Sequence, residues 1–274
     1  MKRCLAVVLG LFVTVSVAYA QSGIGVGAAD AGSGQGSGLG SHKGRELLKE
    51  MVQALGGQRW LDMKNAYHEG RIAGYFQGRP DDSLQMYFDW REPLGPEREE
   101  LTKKRDVVEM YTGDSCTEID YKGAHPQMKK ICESYLRRRK HSIGQAVRVW
   151  LKEPGTIVEY DGQKLSENHL VDQVTLISED NDSITIQLHE YSHLPMEVSY
   201  EWRDPVYHDM DKDVVQFSDY HMIDGIATPL TITYIHNGLM TEQRFVYFAA
   251  YNVKLPPDGF SIAKTVQQIV KKYK

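Results

Sequence analysis

With 274 residues, 41% of them hydrophobic and 25% charged, the chain has the balance of a folded protein of one large or two small domains, which excludes disorder for most of its length. Its net charge of −5, more negative still without Lys2 and Arg3, excludes the basic surface that a nucleic-acid partner requires. Beyond the N-terminal segment, no stretch reaches the roughly 18 uninterrupted apolar residues of a membrane-spanning helix.

Residues 1–20 predict a secretory signal peptide. Lys2 and Arg3 precede the apolar run "CLAVVLGLFVTVSV", and Ala18-Tyr19-Ala20 supplies a small-x-small cleavage signature. The mature chain is expected in the periplasm or another extracytoplasmic space, soluble after cleavage, with an uncleaved N-terminal anchor as the alternative. Residues 21–44, rich in Gly, Ser and Ala, cannot bury enough side chain to offset ordering entropy and read as a flexible tether. The remainder, 45–274, is expected to be a single domain.

In "RELLKEMVQALGG", Leu47, Leu48, Met51, Val52 and Leu55 fall at helical spacing, with Gly56-Gly57 as the stop. Strand patterns follow, the clearest being "LQMYFDW". The period then changes: Met128, Ile131, Cys132, Tyr135 and Leu136, and after Ser142 the set Ile143, Ala146, Val147, Trp150 and Leu151, predict two successive amphipathic helices. From 156 to 252 one strand succeeds another, separated by turn residues that include Asp224-Gly225 and Asn237-Gly238. Pro229 inside one of them predicts a bulge or a free edge. A last amphipathic helix carries Ile262, Val266, Ile269, Val270 and Tyr273. Consecutive hairpins imply an antiparallel meander, so the fold class is α+β, with one large antiparallel sheet and a few helices.

His189-Glu190-Tyr191-Ser192-His193 fits the H-E-x-x-H formula of zinc peptidases, which has meaning only on a helix, where the two histidines share a face. Here Ile184, Ile186 and Leu188 alternate with polar residues before the motif. Met196, Val198, Tyr200 and Trp202 alternate after it, so the motif reads as a turn between strands; the zinc peptidase is kept as the enzyme-class alternative. Asp209, Asp211 and Asp213 imitate the start of a calcium loop, but Val214 stands where the turn wants Gly, which predicts an acidic surface loop. No Gly-x-Ser-x-Gly elbow and no Cys-x-x-Cys pair occur. The sequence predicts no catalytic residue, no metal site and no cofactor.

Cys116 and Cys132 have two readings outside the cytoplasm, a single disulfide or two buried thiols. Arg137, Arg138, Arg139 and Lys140 read either as a solvated helix end, where cations suit the dipole, or as a contact for anionic headgroups or an acidic partner. The rows of large apolar residues likewise admit a dry core or a pocket for a hydrophobic ligand. In the second case the lining residues are Leu84, Met86, Phe88, Trp90, Ile184, Ile186, Leu188, Met196, Val198, Tyr200, Trp202, Phe245 and Tyr247.

The segments "ALGGQRWLD", "LPMEVSYEW", "FSDYHMIDGIATPLTI" and "YNVKLPPDGF" together resemble the LolA-like superfamily of periplasmic lipoprotein-sorting proteins over residues 45–260. The resemblance implies an unclosed half barrel of antiparallel strands whose concave apolar face, capped by helices, holds lipid or lipoprotein acyl chains without catalysis. The expected function is therefore a non-enzymatic carrier, with a membrane protein as a further partner. The alternative on the same fold is a structural or sensing module that binds a protein.

Overall fold

The structure is a computed structural model that describes residues 36–255 and 258–273. The predicted signal peptide and residues 21–35 of the predicted tether lie outside the described residues. Helix α1 (Gly36–Leu55) begins inside that tether, earlier than its apolar spacing indicates. Gly44 explains the extension. A Cβ there would lie 3.0 Å from Val158 Cγ1, so the glycine lets the helix lie directly on the sheet, where Arg45 donates to the Thr156 carbonyl at 3.2 Å. At the other end Gly57 N–H bonds to the Val52 carbonyl and Gly56 N–H to that of Gln53, a Schellman closure, with Gly56 at φ 129°.

A single turn, α2 (Gln58–Leu61), leads into six strands: β1 (Ala66–Phe76), β2 (Arg79–Arg91), β3 (Glu97–Leu101), β4 (Val107–Thr112), β5 (Ser115–Asp120) and β6 (Gly123–Pro126). Each pairs antiparallel with the next, so the chain walks from the middle of the sheet to one edge. Helices α3 (Lys129–Lys140) and α4 (Ile143–Arg148) and a 3-10 turn at Trp150–Lys152 carry it across to the far edge. Seven strands then return to the middle: β7 (Ile157–Ser166), β8 (His169–Ile177), β9 (Ser183–His189), β10 (Pro195–Arg203), β11 (Met210–Ile223), β12 (Ile226–His236) and β13 (Leu239–Tyr251). β13 pairs with β1 and joins the two meanders into one sheet of 13 strands whose outermost members, β6 and β7, do not meet. The result is an unclosed half barrel with helices, the α+β architecture expected from the strand pattern.

Local chemistry sets these turns. Asp224-Gly225 and Asn237-Gly238 all take positive φ, the conformation that tight hairpins need, and close β11–β12 and β12–β13. Pro229 lies beyond the β13 pairing of β12, which starts at Thr231, so its missing N–H leaves no gap in the ladder. Ser142 and Ser261 cap α4 and α5 (Ile262–Lys271) by accepting from the N–H groups of Gln145 and Lys264.

The main core lies on the inner face, where Leu47, Leu48, Met51, Val52 and Leu55 of α1 meet Ile184, Ile186 and Leu188 of β9 together with Ala146, Val147 and Trp150. A smaller cluster lies on the outer face, where Ile269 of α5 covers Val108, Met110 and Ile119. The predicted acidic surface loop keeps only Asp209: Asp211 and Asp213 belong to β11, accepting hydrogen bonds from Asn237 and from His236 and Trp202. The wholly buried Ile186 and the exposed Leu84 give the burial pattern a direct check. Ile186→Ala should cost about 2–5 kcal/mol of unfolding free energy in chemical denaturation, whereas Leu84→Ala should stay within about 0.5 kcal/mol of the parent.

Candidate functional site

Strand register places a row of acidic side chains on the inner face. Asp89 on β2 faces Glu99 on β3, Glu99 faces Glu109 on β4, Glu109 faces Glu118 on β5, and Glu118 faces His125 on β6. Like charges directly opposite one another repel, so each carboxylate needs a cation, a donor or a proton. Arg91 binds Asp89 through two nitrogens. Arg244 on β13 forks onto Glu99 at 3.0 and 3.3 Å and reaches Glu242 with Nε at 2.5 Å. Tyr111 donates to Glu109 at 2.5 Å, and His125 lies 3.1 Å from Glu118.

Burial leaves its mark on this network. It pushes the Glu99 carboxyl up to about 8 against the pull of Arg244, with Asp89, Glu109 and Glu97 adding repulsion. Burial likewise raises Asp89 to about 6, opposed by Arg91. His68, opposite Asp89 on β1, is pushed down to about 3 by burial and by the nearby Arg91 and Arg244, and its Nε2 has no partner among the described residues.

Helix α3 roofs this region. Cys132 on the helix is joined by a disulfide to Cys116 on β5, their Cα atoms 5.6 Å apart. Tyr135 stacks on Tyr111 at 3.6 Å between ring centroids and donates to Glu97 at 2.8 Å. Between roof and sheet lies a cavity of about 340 Å³. One wall is apolar, formed by Val198, Val215, Phe217 and Ile232, and Ile72 and Leu101 line the cavity on the other side of Arg244. The facing floor is charged and holds Arg91, Glu97, Glu99, Glu109, Glu242 and Arg244.

The sequence-derived candidates are distributed differently. Leu84, Met86, Phe88 and Trp90 lie on the outer face, where Phe88 packs under Arg105 at 3.5 Å and Trp90 against Tyr67 at 4.4 Å. Phe245 and Tyr247 share that face through their pairing with or contact to Arg71. The alternation of β2 was read correctly, but its polar half, Gln85, Tyr87, Asp89 and Arg91, is the half that turns inward. Ile184, Ile186 and Leu188 do face inward but are wholly buried beneath α1, in dry packing away from the cavity. Val198 lines the cavity, Tyr200 stacks on His141 at 4.1 Å, and Met196 sits in a register shift between Pro195 and Glu197. Trp202 lies under the Arg137 guanidinium at 3.4 Å and donates to Asp213.

The basic run is not a solvated helix end. Arg137 stacks on Trp202, Arg138 projects into the cavity over Tyr234, Arg139 donates to the Gly95 carbonyl, and Lys140 pairs with Asp182. His189 ends β9 and accepts from the Tyr191 and Ser192 N–H groups, while His193, at φ 54°, turns toward Glu50. The two histidines therefore share no helix face. Among the described residues the group whose geometry suits a metal ion is Glu118, Asp120 and His125 at the exposed end of the row. No helix among the described residues is long and apolar enough to cross a membrane.

No family model and no curated protein matches this chain. Solved structures do. A DUF1329 family protein of Desulfovibrio piger superposes with a TM-score of 0.55 at 11% identity, covering 82% of this chain and 99% of its own. The LolA superfamily protein of Nitrosomonas europaea gives 0.51 at 12% identity, covering 81% and 98%. The fold is LolA-like. A Vibrio parahaemolyticus domain assigned to outer membrane lipoprotein sorting agrees, with a TM-score of 0.52 at 8% identity over 82% and 99% of the two chains. In this LolA-like sheet the inner face carries a buried ionic floor where the family resemblance implied an apolar one.

Two measurements test the site. Cys132→Ser should cost about 3 kcal/mol of stability, as expected for a loop of this length, and should speed amide exchange in α3 ahead of the rest of the molecule. For Glu99 the native state holds a proton that the unfolded chain releases above about 4.3, so its contribution falls as pH rises from there through about 8. The urea midpoint of the parent should accordingly drop relative to that of Glu99→Gln across this window.

Proposed function

We propose that this chain is a non-enzymatic extracytoplasmic binding protein that holds a single-chain amphipathic ligand, such as a lipid or lipoprotein acyl chain, beneath α3. The observation that carries the reading is the cavity itself, roofed by a helix and split into an apolar wall and a polar floor. At about 340 Å³ it lies near the lower end of the roughly 300–1,000 Å³ typical of small-ligand pockets, a size that suits one chain rather than a two-chain lipid. Each methylene buried against Val215, Phe217 and Ile232 would contribute about 0.8 kcal/mol. The leader-like N-terminus supports an extracytoplasmic setting.

Native mass spectrometry of gently purified protein tests this directly, together with titration by the neutral apolar dye N-phenylnaphthylamine. The expected result is a copurified single-chain lipid or saturable dye binding that Ile232→Trp, which fills the cavity, weakens by about tenfold or more. No copurified lipid together with no saturable dye binding by the parent protein would end the reading.

A further inference from the structure

Four guanidinium groups line the cavity; two are held by carboxylates, and a third, Arg139, is anchored through Nη2 while its Nη1 has no partner among the described residues. Arg91 holds Asp89 with Glu97 at 3.9 Å, Arg244 holds Glu99 and Glu242, and Arg139 donates to the Gly95 carbonyl. Arg138 forms no hydrogen bond and no ion pair among the described residues; its guanidinium carbon stands 4.7 Å from the centre of the Tyr234 ring. Five N–H donors in a planar fork thus face the cavity without an acceptor. Glu242 on β13, the nearest source of compensating charge, is already held by Arg244.

Against burial, Glu242 and Tyr234 keep the Arg138 guanidinium charged, its nitrogens are not sealed from the cavity, and a planar fork is matched by two oxygens of one group. From this geometry we infer that Arg138 receives the anionic head of the bound ligand, a carboxylate or a phosphate. The inference rests on the binding-protein reading and names the ligand class of the same site. The rest of the floor fixes the orientation. Glu97 and Glu109 repel an anion from the β3–β4 side, so the head stays at Arg138 and the chain lies along Val198, Val215, Phe217 and Ile232. Arg138 is then a specificity-determining residue that selects the head group, while the apolar wall accepts chains without regard to the head.

Displacement of N-phenylnaphthylamine from the purified protein by dodecanoate, dodecyl phosphate and dodecanol, each a single chain of twelve carbons, isolates the head group. At least one anion should displace the dye at a concentration about tenfold below that needed for dodecanol, the gain expected of a charge-assisted hydrogen bond. Arg138→Gln should erase that advantage and leave dodecanol unchanged, and Arg138→Lys, which keeps the charge but loses the fork, should retain part of it. Preference for dodecanoate points to a free fatty acid and preference for dodecyl phosphate to a phosphorylated lipid; either supports the inference. Equal displacement by dodecanol and both anions in the parent, or an anion advantage that survives Arg138→Gln, overturns it while the binding reading stands. Failure of all three compounds to displace bound dye overturns the inference and the single-chain ligand with it, and absence of dye binding defeats the underlying reading. Thermal melting of each variant confirms the fold, and where Arg138→Gln fails to fold, Arg138→Lys decides: an anion advantage undiminished in that variant overturns the inference.

Discussion

An open sheet offers two faces to water, and the apolar side chains on either face are stable only beneath a cover. In this chain the cover comes largely from one connection. The chain reaches β6 at one edge and must begin β7 at the other, so the residues between them have to traverse the whole inner face. That forced crossing is what places α3 and α4 where they are. α4 and α1 seal the β7–β10 end with aliphatic packing, and α3 is left to span the wider β2–β4 end with a single deeply buried side chain, Tyr135. The cavity is the space that one thin helix does not fill.

The polar character of the cavity follows from the same division. Where α1 brings five aliphatic residues, the facing strands carry Ile184, Ile186 and Leu188. Where α3 brings Tyr135, Arg138 and Arg139, the facing strands carry Glu97, Glu99 and Glu109. Roof and floor match each other in chemistry. The disulfide substitutes for hydrophobic packing that α3 lacks, since Met128 and Ile131 on its predicted apolar side are exposed.

Much of the fold was legible because its signals are local. Period-two alternation located β2, β9 and β10, and the Asp224-Gly225 and Asn237-Gly238 pairs marked the β11–β12 and β12–β13 hairpins. The helical spacing of residues 128–136 and 143–151 found α3 and α4. Which face of β2 turns inward was not legible. Leu84, Met86, Phe88 and Trp90 are the more apolar half of that strand, yet Asp89 and Arg91 are on the inward half because Arg91 lies beside Asp89 and Glu99 meets Arg244 from a strand far along the chain. Such compensation is a property of pairs, and alternation in one strand carries no record of it. Glu97 and Glu99 in "EREE" do share a face of β3, the one local hint that a charged floor was being built.

The meeting of β1 with β13 has a kinetic side. Ala66 pairs with Tyr251, so one edge of the first strand stays unpaired until the last strand exists, and the sheet's midline is assembled from the two most distant parts of the domain. Long-range pairing of this kind makes folding slow and leaves strand edges open to wrong partners in the meantime. Each six- or seven-strand meander can form early from neighbouring hairpins, but the cavity takes Arg91, Glu97, Glu99 and Glu109 from the first and Glu242, Arg244 and its Val198, Val215, Phe217 and Ile232 wall from the second. A chain still being made therefore has strands and turns before it has this cavity, and the cavity appears only when the final hairpin closes the seam.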